Sequence, residues 1–213
     1  GRAYIFRSNN NPLPPEPSAP GATVSTPDLV RPGSCANDTV GTDRAERLKG
    51  TRAGDRMFGF GGDDRIEGFQ SADCLDGGTG GDRLLGGEDR DRLLGKTGAD
   101  RLLGNNGRDR LFGGSGNDRL NGGRGSDILA GGSGNDYLDG GLDPDKLFGE
   151  RGNDRIDVGG GRNNVDAGPG NDRIFARNGR RDVISCGSGR DDRVVADRYD
   201  RVRVDCERIR RRR

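Results

Sequence analysis

The sequence has no histidine and no tryptophan, and only 28% of its 213 residues are hydrophobic. Globular domains are usually about 45–50% apolar, so a large interdigitated core is excluded. No apolar run approaches the roughly 18 residues that a membrane-spanning helix needs. Histidine-based sites are impossible, and the G-x-S-x-G and H-E-x-x-H motifs of hydrolases and zinc proteases are missing. We therefore predict a protein that is not an enzyme and has no transmembrane segment.

The chain has four cysteines but no C-x-x-C pair, which argues against zinc. An even number of cysteines favours disulfides and an oxidising compartment, so we expect an extracellular or cell-surface protein. Four reduced thiols in a cytosolic protein are the alternative. We expect the bonds Cys35–Cys74 and Cys186–Cys206, one near each end of the repeats described next, because repeat proteins need distinct end units.

Few hydrophobic residues and many charges can indicate disorder. Here, however, the net charge is only +1 and the apolar residues are periodic. Acidic residues recur every nine positions from Glu46 to Asp172, with Asn163 as the one exception among fifteen units. An apolar residue follows each of them two positions later, from Leu48 to Ile174. This periodicity indicates a repeat architecture.

The most regular units are GGTGGDRLL at 77–85, GGSGNDRLN at 113–121, GGRGSDILA at 122–130 and GGSGNDYLD at 131–139. They resemble the G-G-x-G-x-D-x-U-x nonapeptide of the RTX (repeats-in-toxin) family of calcium-binding proteins. The resemblance covers residues 46–175 closely and extends loosely to about 195. It implies an all-β fold, a right-handed parallel β-roll (a calcium-binding β-solenoid) with two nonapeptides per turn. It also implies that the glycine half of each unit is a turn and the D-x-U-x half a short strand.

The residue types at each position of the nonapeptide fit this fold. Glycines at positions 1, 2 and 4 permit the backbone angles and close approach of a tight turn. Side chains alternate along a strand, so we expect only the apolar position 8 to point inward. Each turn climbs about 4.8 Å, which stacks residues eighteen apart.

Stacking predicts two columns of aspartates, and the resemblance places calcium between their members. Ca²⁺ takes six to eight oxygens from carboxylates and backbone carbonyls, which stacked aspartates and glycine loops supply. Six gaps in one column and five in the other give about eleven ions. The predicted ligands are Asp64, Asp82, Asp100, Asp118, Asp136, Asp154 and Asp172 in one column, and Asp55, Asp73, Asp91, Asp109, Asp127 and Asp145 in the other.

Some loops depart from the pattern, and we doubt the sites built on them. Position 4 is not glycine at Ala53, Ser71, Asp89 and Asp143, Pro144 alters the last of these loops, and Asn163 replaces an aspartate. The sites around residues 113–136 are the most regular. A metal-free coil with asparagine-like ladders is the alternative, but aspartate occupies nearly every stacked position. Because the apolar core is thin, we expect the chelated protein to be largely unfolded.

The outward positions are the other place where function could lie. Position 7 is mostly arginine, either a solvated face or, once calcium neutralises the loops, a surface for anionic polysaccharide or another surface polymer. Interleaved aromatic residues are missing, so we expect no specific nucleic-acid recognition. Position 9 carries one apolar column, which indicates a covered surface or a partner contact; Leu85 and Leu103 lie on the opposite face. The column consists of Phe58, Leu94, Phe112, Ala130 and Phe148.

The sequence divides into an N-terminal strand-like arm at 1–7, a proline-rich extended linker at 8–33, the roll at 34–193, and a C-terminal cap and basic tail at 194–213. We predict a secreted structural protein that calcium folds and that self-associates head to tail into a filament or surface layer. The assembly residues are Ala3, Tyr4, Ile5 and Phe6 in the arm, with Phe58, Leu94, Phe112 and Phe148 on the roll. A monomeric cell-surface or matrix protein that binds anionic polymers is one alternative. A secretion or folding module of a larger RTX-like exoprotein is the other.

Overall fold

The computed structural model describes residues 35–211, and their regular structure is entirely β-strand. The predicted arm residues Ala3, Tyr4, Ile5 and Phe6, the linker at 8–33 and the last two residues of the tail lie outside the described part. Within 35–211, no helix has the length and apolar character needed to cross a membrane.

Twenty strands alternate between two parallel ten-stranded sheets, so that each turn of the chain adds one strand to each sheet. The odd sheet contains β1 (Asn37–Val40), β3 (Asp55–Phe58), β5 (Cys74–Thr79), β7 (Arg92–Thr97), β9 (Arg110–Ser115), β11 (Ile128–Ser133), β13 (Lys146–Arg151), β15 (Asn164–Asp166), β17 (Val183–Ser185) and β19 (Arg201–Val202). The even sheet contains β2 (Arg47–Lys49), β4 (Arg65–Phe69), β6 (Arg83–Glu88), β8 (Arg101–Asn106), β10 (Arg119–Arg124), β12 (Tyr137–Leu142), β14 (Arg155–Asp157), β16 (Arg173–Ala176), β18 (Arg193–Ala196) and β20 (Arg208–Arg211).

The pairing register confirms two nonapeptides per turn. Leu111 of β9 pairs with Leu129 of β11, and Leu120 of β10 pairs with Leu138 of β12, each eighteen residues further along. The β-solenoid therefore has about ten turns, and its right-handed sense stays a prediction.

The core is one file of position-8 side chains between the two sheets. These residues, from Leu48 to Val194, are at most 7% exposed. Within the expected three-residue strand, position 8 points inward as predicted, but the position-6 aspartates before it and the position-1 glycine after it are buried as well. The buried aspartates form a polar layer beside the row of apolar side chains, at both edges of the roll.

The strands are also longer than the resemblance implied. In the regular turns a strand such as β10 runs through positions 7, 8, 9, 1, 2 and 3, and only positions 4 to 6 form the turn. The strand can continue through the two glycines because the second glycine adopts a positive φ, in the left-handed region of backbone angles. Gly114 has φ +111°, and a Cβ there would lie 2.1 Å from the carbonyl oxygen of Lys96 one turn below. The glycines thus allow neighbouring turns to stack closely.

The outer faces of the two sheets differ in exposure. The predicted apolar column lies on the odd sheet, where Leu94 and Ala130 are buried and Phe58, Phe112 and Phe148 are half-buried. On the even sheet, position 7 forms a stacked column of arginines that Tyr137 interrupts, and most of its members are exposed. Leu85 and Leu103 are half-buried beside that column.

Both ends of the described roll carry a disulfide, as predicted. Cys35 bonds to Cys74 and Cys186 bonds to Cys206, with Cα–Cα distances of 5.9 and 5.1 Å. The region expected to hold one capping strand instead forms β18, β19 and β20, which extend both sheets. Residues beyond the strict nine-residue spacing therefore still follow the same coil.

Candidate metal centre

Two columns of buried acidic side chains run along the edges of the roll. All thirteen aspartates that the sequence singled out lie in these columns, and each is at most 3% exposed. The odd column, before the odd strands, also contains Asn163, Asp182 and Asp200; the even column also contains Asp192. A carboxylate in such a place needs hydrogen bonds or a cation, because burial without compensation is costly.

One oxygen of each carboxylate is satisfied by the backbone. Oδ1 of Asp118 accepts a 2.8 Å hydrogen bond from the N–H of Asp100, and Oδ1 of Asp136 accepts the same bond from Asp118. The ladder runs through both columns, and Asn163 takes part through its own Oδ1, which accepts from the N–H of Asp145. This bond locks successive turns in register, because each side chain reaches back to the equivalent residue of the preceding turn.

The second oxygen of most of these carboxylates has no partner. Within residues 35–211, Oδ2 is buried without a hydrogen bond at thirteen aspartates: Asp64, Asp73, Asp82, Asp91, Asp100, Asp109, Asp118, Asp127, Asp136, Asp145, Asp154, Asp172 and Asp192. Buried polar atoms in native proteins are nearly always satisfied, so a row of orphaned oxygens indicates a missing ligand of positive charge.

The loop glycines keep the space around these oxygens open. A Cβ built on Gly113 would lie 2.4 Å from Oδ2 of Asp118 and 2.5 Å from the carbonyl oxygen of Gly131. Gly116 has φ +130°, and its Cβ would lie 1.7 Å from the carbonyl oxygen of Gly98. Any side chain would therefore displace the oxygens that converge here, and the loop is shaped as an oxygen-lined cradle.

One turn fills this cradle with a side chain of its own. Nδ2 of Asn178 donates to the carbonyl oxygens of Gly159 and Gly161, at 2.9 and 3.3 Å, and to Oδ2 of Asp182 at 3.1 Å. These oxygens belong to positions 2 and 4 of one turn and position 6 of the next. The amide marks where a positively polarised group sits, and it explains why Asp182 does not have an orphaned oxygen.

The same set of oxygens is available in the regular loops. For Asp136 the equivalent carbonyls are those of Gly114 and Gly116, and within residues 35–211 no side-chain amide takes the place that Asn178 has. Ca²⁺ prefers carboxylate and carbonyl oxygens at 2.3–2.6 Å and accepts flexible geometry, which suits this donor set. No three histidine, cysteine or acidic side chains converge anywhere in residues 35–211. Backbone carbonyls would therefore supply much of the coordination shell.

Burial raises the pKa of the thirteen aspartates whose Oδ2 is orphaned, and in several of them the charges of stacked neighbours add to the shift. Burial is the main cause, and it raises the pKa of Asp91 to about 9, with smaller contributions from the charges of Asp109, Asp73 and Asp89. Burial likewise raises the pKa of Asp145 and Asp154 to about 8. The backbone N–H that each carboxylate accepts opposes the shift. Without a cation these groups would therefore hold protons near neutral pH.

In the first and last turns, hydrogen bonds from the chain itself satisfy the carboxylate oxygen that is orphaned in the regular turns. Oδ2 of Asp55 accepts hydrogen bonds from the N–H of Thr51 at 2.6 Å and from its hydroxyl at 3.0 Å. Asp200 accepts one backbone N–H on each oxygen, from Asp182 and from Asp197. Asp55 was predicted as a calcium ligand, and in this structure Thr51 already donates to the oxygen that is orphaned in the regular turns.

Sequence reasoning missed Asp182, Asp192 and Asp200. Insertions break the nine-residue spacing here, since the hydrogen-bonded partners are Asn163 with Asp182 and Asp172 with Asp192, nineteen and twenty residues apart. The local pattern was nevertheless present, because each of the three aspartates precedes a buried or half-buried residue by two positions, as in the regular units.

Three of the four loops without glycine at position 4 retain the glycine-like backbone, and the loop of Ala53 does not. Ser71, Asp89 and Asp143 at position 4 have φ values of 68°, 74° and 76°. Their loops still present the orphaned oxygens of Asp73, Asp91 and Asp145. Whether these loops bind calcium stays untested.

Comparison with known families agrees with this geometry. The model for the RTX calcium-binding nonapeptide repeat matches overlapping stretches at 40–68, 50–84, 67–102, 76–111, 85–120, 94–129, 112–147, 130–165, 139–174, 148–183 and 157–192. Together these matches cover residues 40–192 without a gap. No curated protein and no solved structure matches the chain.

Proposed function

Because the chain belongs to the RTX calcium-binding nonapeptide-repeat family, we propose that calcium bound between its turns triggers folding of a secreted structural protein. The ions would lie in the glycine loops of both carboxylate columns. The disulfides and the repeats are consistent with an extracellular location, where calcium is abundant enough to saturate weak sites.

The buried, unpartnered Oδ2 oxygens are the observation that carries this proposal. Stacked carboxylates at this spacing repel one another and are desolvated, so the calcium-free fold is unstable at neutral pH. A cation that bridges a carboxylate of one turn and carbonyls of its neighbour removes both costs. Binding and folding are then one equilibrium.

Far-ultraviolet circular dichroism with and without EGTA tests this proposal. We expect the β-sheet spectrum to collapse on chelation and to return on adding calcium. Magnesium is the matched control, because it demands shorter, near-octahedral contacts and should restore little structure. A spectrum that excess EGTA leaves unchanged would contradict the proposal.

The number of ions is open to direct measurement. Counting gaps in the sequence predicts about eleven, whereas thirteen aspartates have an orphaned oxygen. Equilibrium dialysis against calcium, with the protein at known concentration, distinguishes these counts. Fewer than eleven ions would indicate that loops without glycine at position 4 do not bind.

We further propose that rolls associate head to tail through the N-terminal arm. Within residues 35–211 the two parallel sheets end with the edge strands β1 and β2 at one end and β19 and β20 at the other. Such edges are templates for strand addition. Deleting residues 1–30 should leave calcium-folded monomers, and filaments that persist in this variant would refute the arm's role.

A monomeric protein that binds anionic polymers is the second candidate. The exposed arginine column of the even sheet favours it, because neighbouring guanidinium groups stack there at strand spacing. Negative-stain microscopy of the calcium-loaded protein separates the two candidates. Fibres support assembly, and discrete rods support the monomer. For both the filament subunit and the monomeric polymer-binding protein, we propose a role without catalysis.

A further inference from the structure

A hollow of about 680 Å³ at the C-terminal end of the roll gathers six arginines from successive turns. We call it the arginine hollow; its lining guanidinium groups belong to Arg162, Arg180, Arg181, Arg198, Arg201 and Arg211. The coil brings these residues together, because Arg162, Arg181 and Tyr199 each directly precede a member of the odd column. Its volume lies within the range of small-molecule sites.

The nearby carboxylates do not neutralise this charge by direct contact. Asp200 lines the hollow, but its two oxygens accept the backbone N–H groups of Asp182 and Asp197. Asp197 accepts from the N–H groups of Tyr199 and Gly179, at 2.9 and 2.8 Å. Both carboxyl groups thus stabilise the loop backbone.

Four of the six guanidinium groups have no anionic partner. In residues 35–211, the side chains of Arg162, Arg180, Arg181 and Arg201 form no ion pair and no hydrogen bond. The other two are held in place. Arg211 donates to the carbonyl oxygens of Asp197 and Asp200, and Arg198 donates to the hydroxyl of Tyr199 and lies over its ring. The hollow therefore combines fixed and adaptable donors.

We propose that the arginine hollow binds the sulfate groups of an anionic saccharide. Guanidinium groups are donors only, and their planar fork matches oxyanions in a bidentate manner. The proposal rests on the calcium-folded state described above, because the three turns that supply the arginines must be stacked.

Two other polyanions fit the hollow less well. Tyr199 is its one aromatic lining residue, and Arg198 already covers that ring, whereas single-stranded nucleic acid needs successive stacking platforms. Polyphosphate oxygens would compete with the protein for the calcium that folds it. Sulfate groups spaced along a sugar chain avoid both difficulties.

The same edge of the roll offers a path for a longer chain. A smaller hollow of about 200 Å³ lies further toward the N-terminus and is lined by Arg90, Arg108 and Lys146. Arg90, Arg108 and Arg162 occupy the same position 5 of their nonapeptides. On the opposite edge position 5 has no arginine in the regular turns; it is Asp63, Gly81 and Ala99, followed by Asn117, Asn135, Asn153 and Asn171.

Isothermal titration of the calcium-loaded full chain with a sulfated disaccharide tests the site, with the unsulfated disaccharide as the ligand control. The test variant is Arg162→Gln/Arg181→Gln/Arg201→Gln. The matched variant is Arg52→Gln/Arg124→Gln/Arg151→Gln, which removes three exposed arginines that lie outside both the hollow and the position-7 arginine column of the even sheet. We expect the first variant to bind roughly tenfold to a hundredfold more weakly, since each exposed charge pair contributes up to about 1 kcal/mol. The second should bind like the parent.

Equal weakening in both variants would overturn the proposal, because binding would then follow net charge alone. It is also overturned if the folded parent does not bind the sulfated disaccharide, or if it binds a single-stranded oligonucleotide more tightly. Circular dichroism of the same samples separates this failure from that of calcium-dependent folding. A roll that stays folded in EGTA contradicts the proposed function, whereas a calcium-folded roll that does not bind contradicts the hollow alone.

Discussion

Replacing Asp118 with asparagine tests the metal centre at a single atom. Asparagine keeps the Oδ1 that accepts the N–H of Asp100, so the ladder bond survives. It replaces the orphaned Oδ2 with an amide, which donates hydrogen bonds and cannot coordinate a cation. Asp63→Asn is the matched control, because Asp63 is exposed and its Oδ1 accepts the N–H of Gly81. Asn117 occupies the same position of its nonapeptide and accepts the equivalent hydrogen bond from the N–H of Asn135, so asparagine can replace Asp63 without losing this bond.

The expected loss follows from ligand linkage. An ion present at 100 times its dissociation constant stabilises the folded state by about 2.7 kcal/mol. Removing one such ion should lower the melting temperature of the calcium-loaded Asp118→Asn protein by roughly 5–10 °C and reduce the bound calcium by one ion. Differential scanning calorimetry and equilibrium dialysis measure these effects. The reasoning fails if Asp118→Asn and Asp63→Asn melt together with unchanged calcium content.

The remaining predictions concern protons, one amide and one strained backbone position. Because burial raises the pKa of Asp91 to about 9 and that of Asp154 to about 8, their protonation stabilises the calcium-free roll fully below about pH 4, and this contribution is lost as the pH rises from there through about 8 to 9. Circular dichroism in EGTA should therefore show more structure at pH 4 than at pH 8, and the opposite trend would contradict the pKa shifts. Asn178→Gly empties the cradle between Gly159 and Asp182, so dialysis should find one additional calcium ion, and an unchanged count would mean that the turn lacks a complete donor set. Glu150 has φ +68°, so Glu150→Gly should stabilise the loaded roll by about 1 kcal/mol in thermal unfolding, whereas Glu88→Gly, at a strand position without positive φ, should not.

The features that the sequence predicted correctly are those that repeat at every turn. Leu111, Leu120 and Leu129 lie in the core because the apolar residue recurs at one fixed place in each nonapeptide. The stacking of equivalent positions follows from two units per turn, and so do the two aspartate columns. The disulfides were predictable because each pair of cysteines lies near one end of the repeat array.

The features that the sequence did not predict depend on the backbone between the repeats. Alternation along a strand describes positions 7 to 9, but the side chain of Asp118 lies just before the strand and turns inward to reach the N–H of Asp100. Nothing in the nine-residue pattern reveals that bond. The amide of Asn178 was equally hidden, because it lies in an insertion that disrupts the spacing. Burial of Leu94 and Ala130 on the outer face also lies outside what periodicity can predict.

The ladder explains why calcium and register depend on the same residue. One oxygen of each column aspartate holds the next turn in place, so the carboxylate cannot be exchanged for an apolar group without losing the register. The other oxygen is then buried whether or not a cation is present, and its charge must be compensated. Asn178 meets this need with an amide in one turn, while the regular turns leave it to an external ion. Under the proposed function, calcium dependence is therefore a property of each turn, set by what faces Oδ2, and the fold itself permits both solutions.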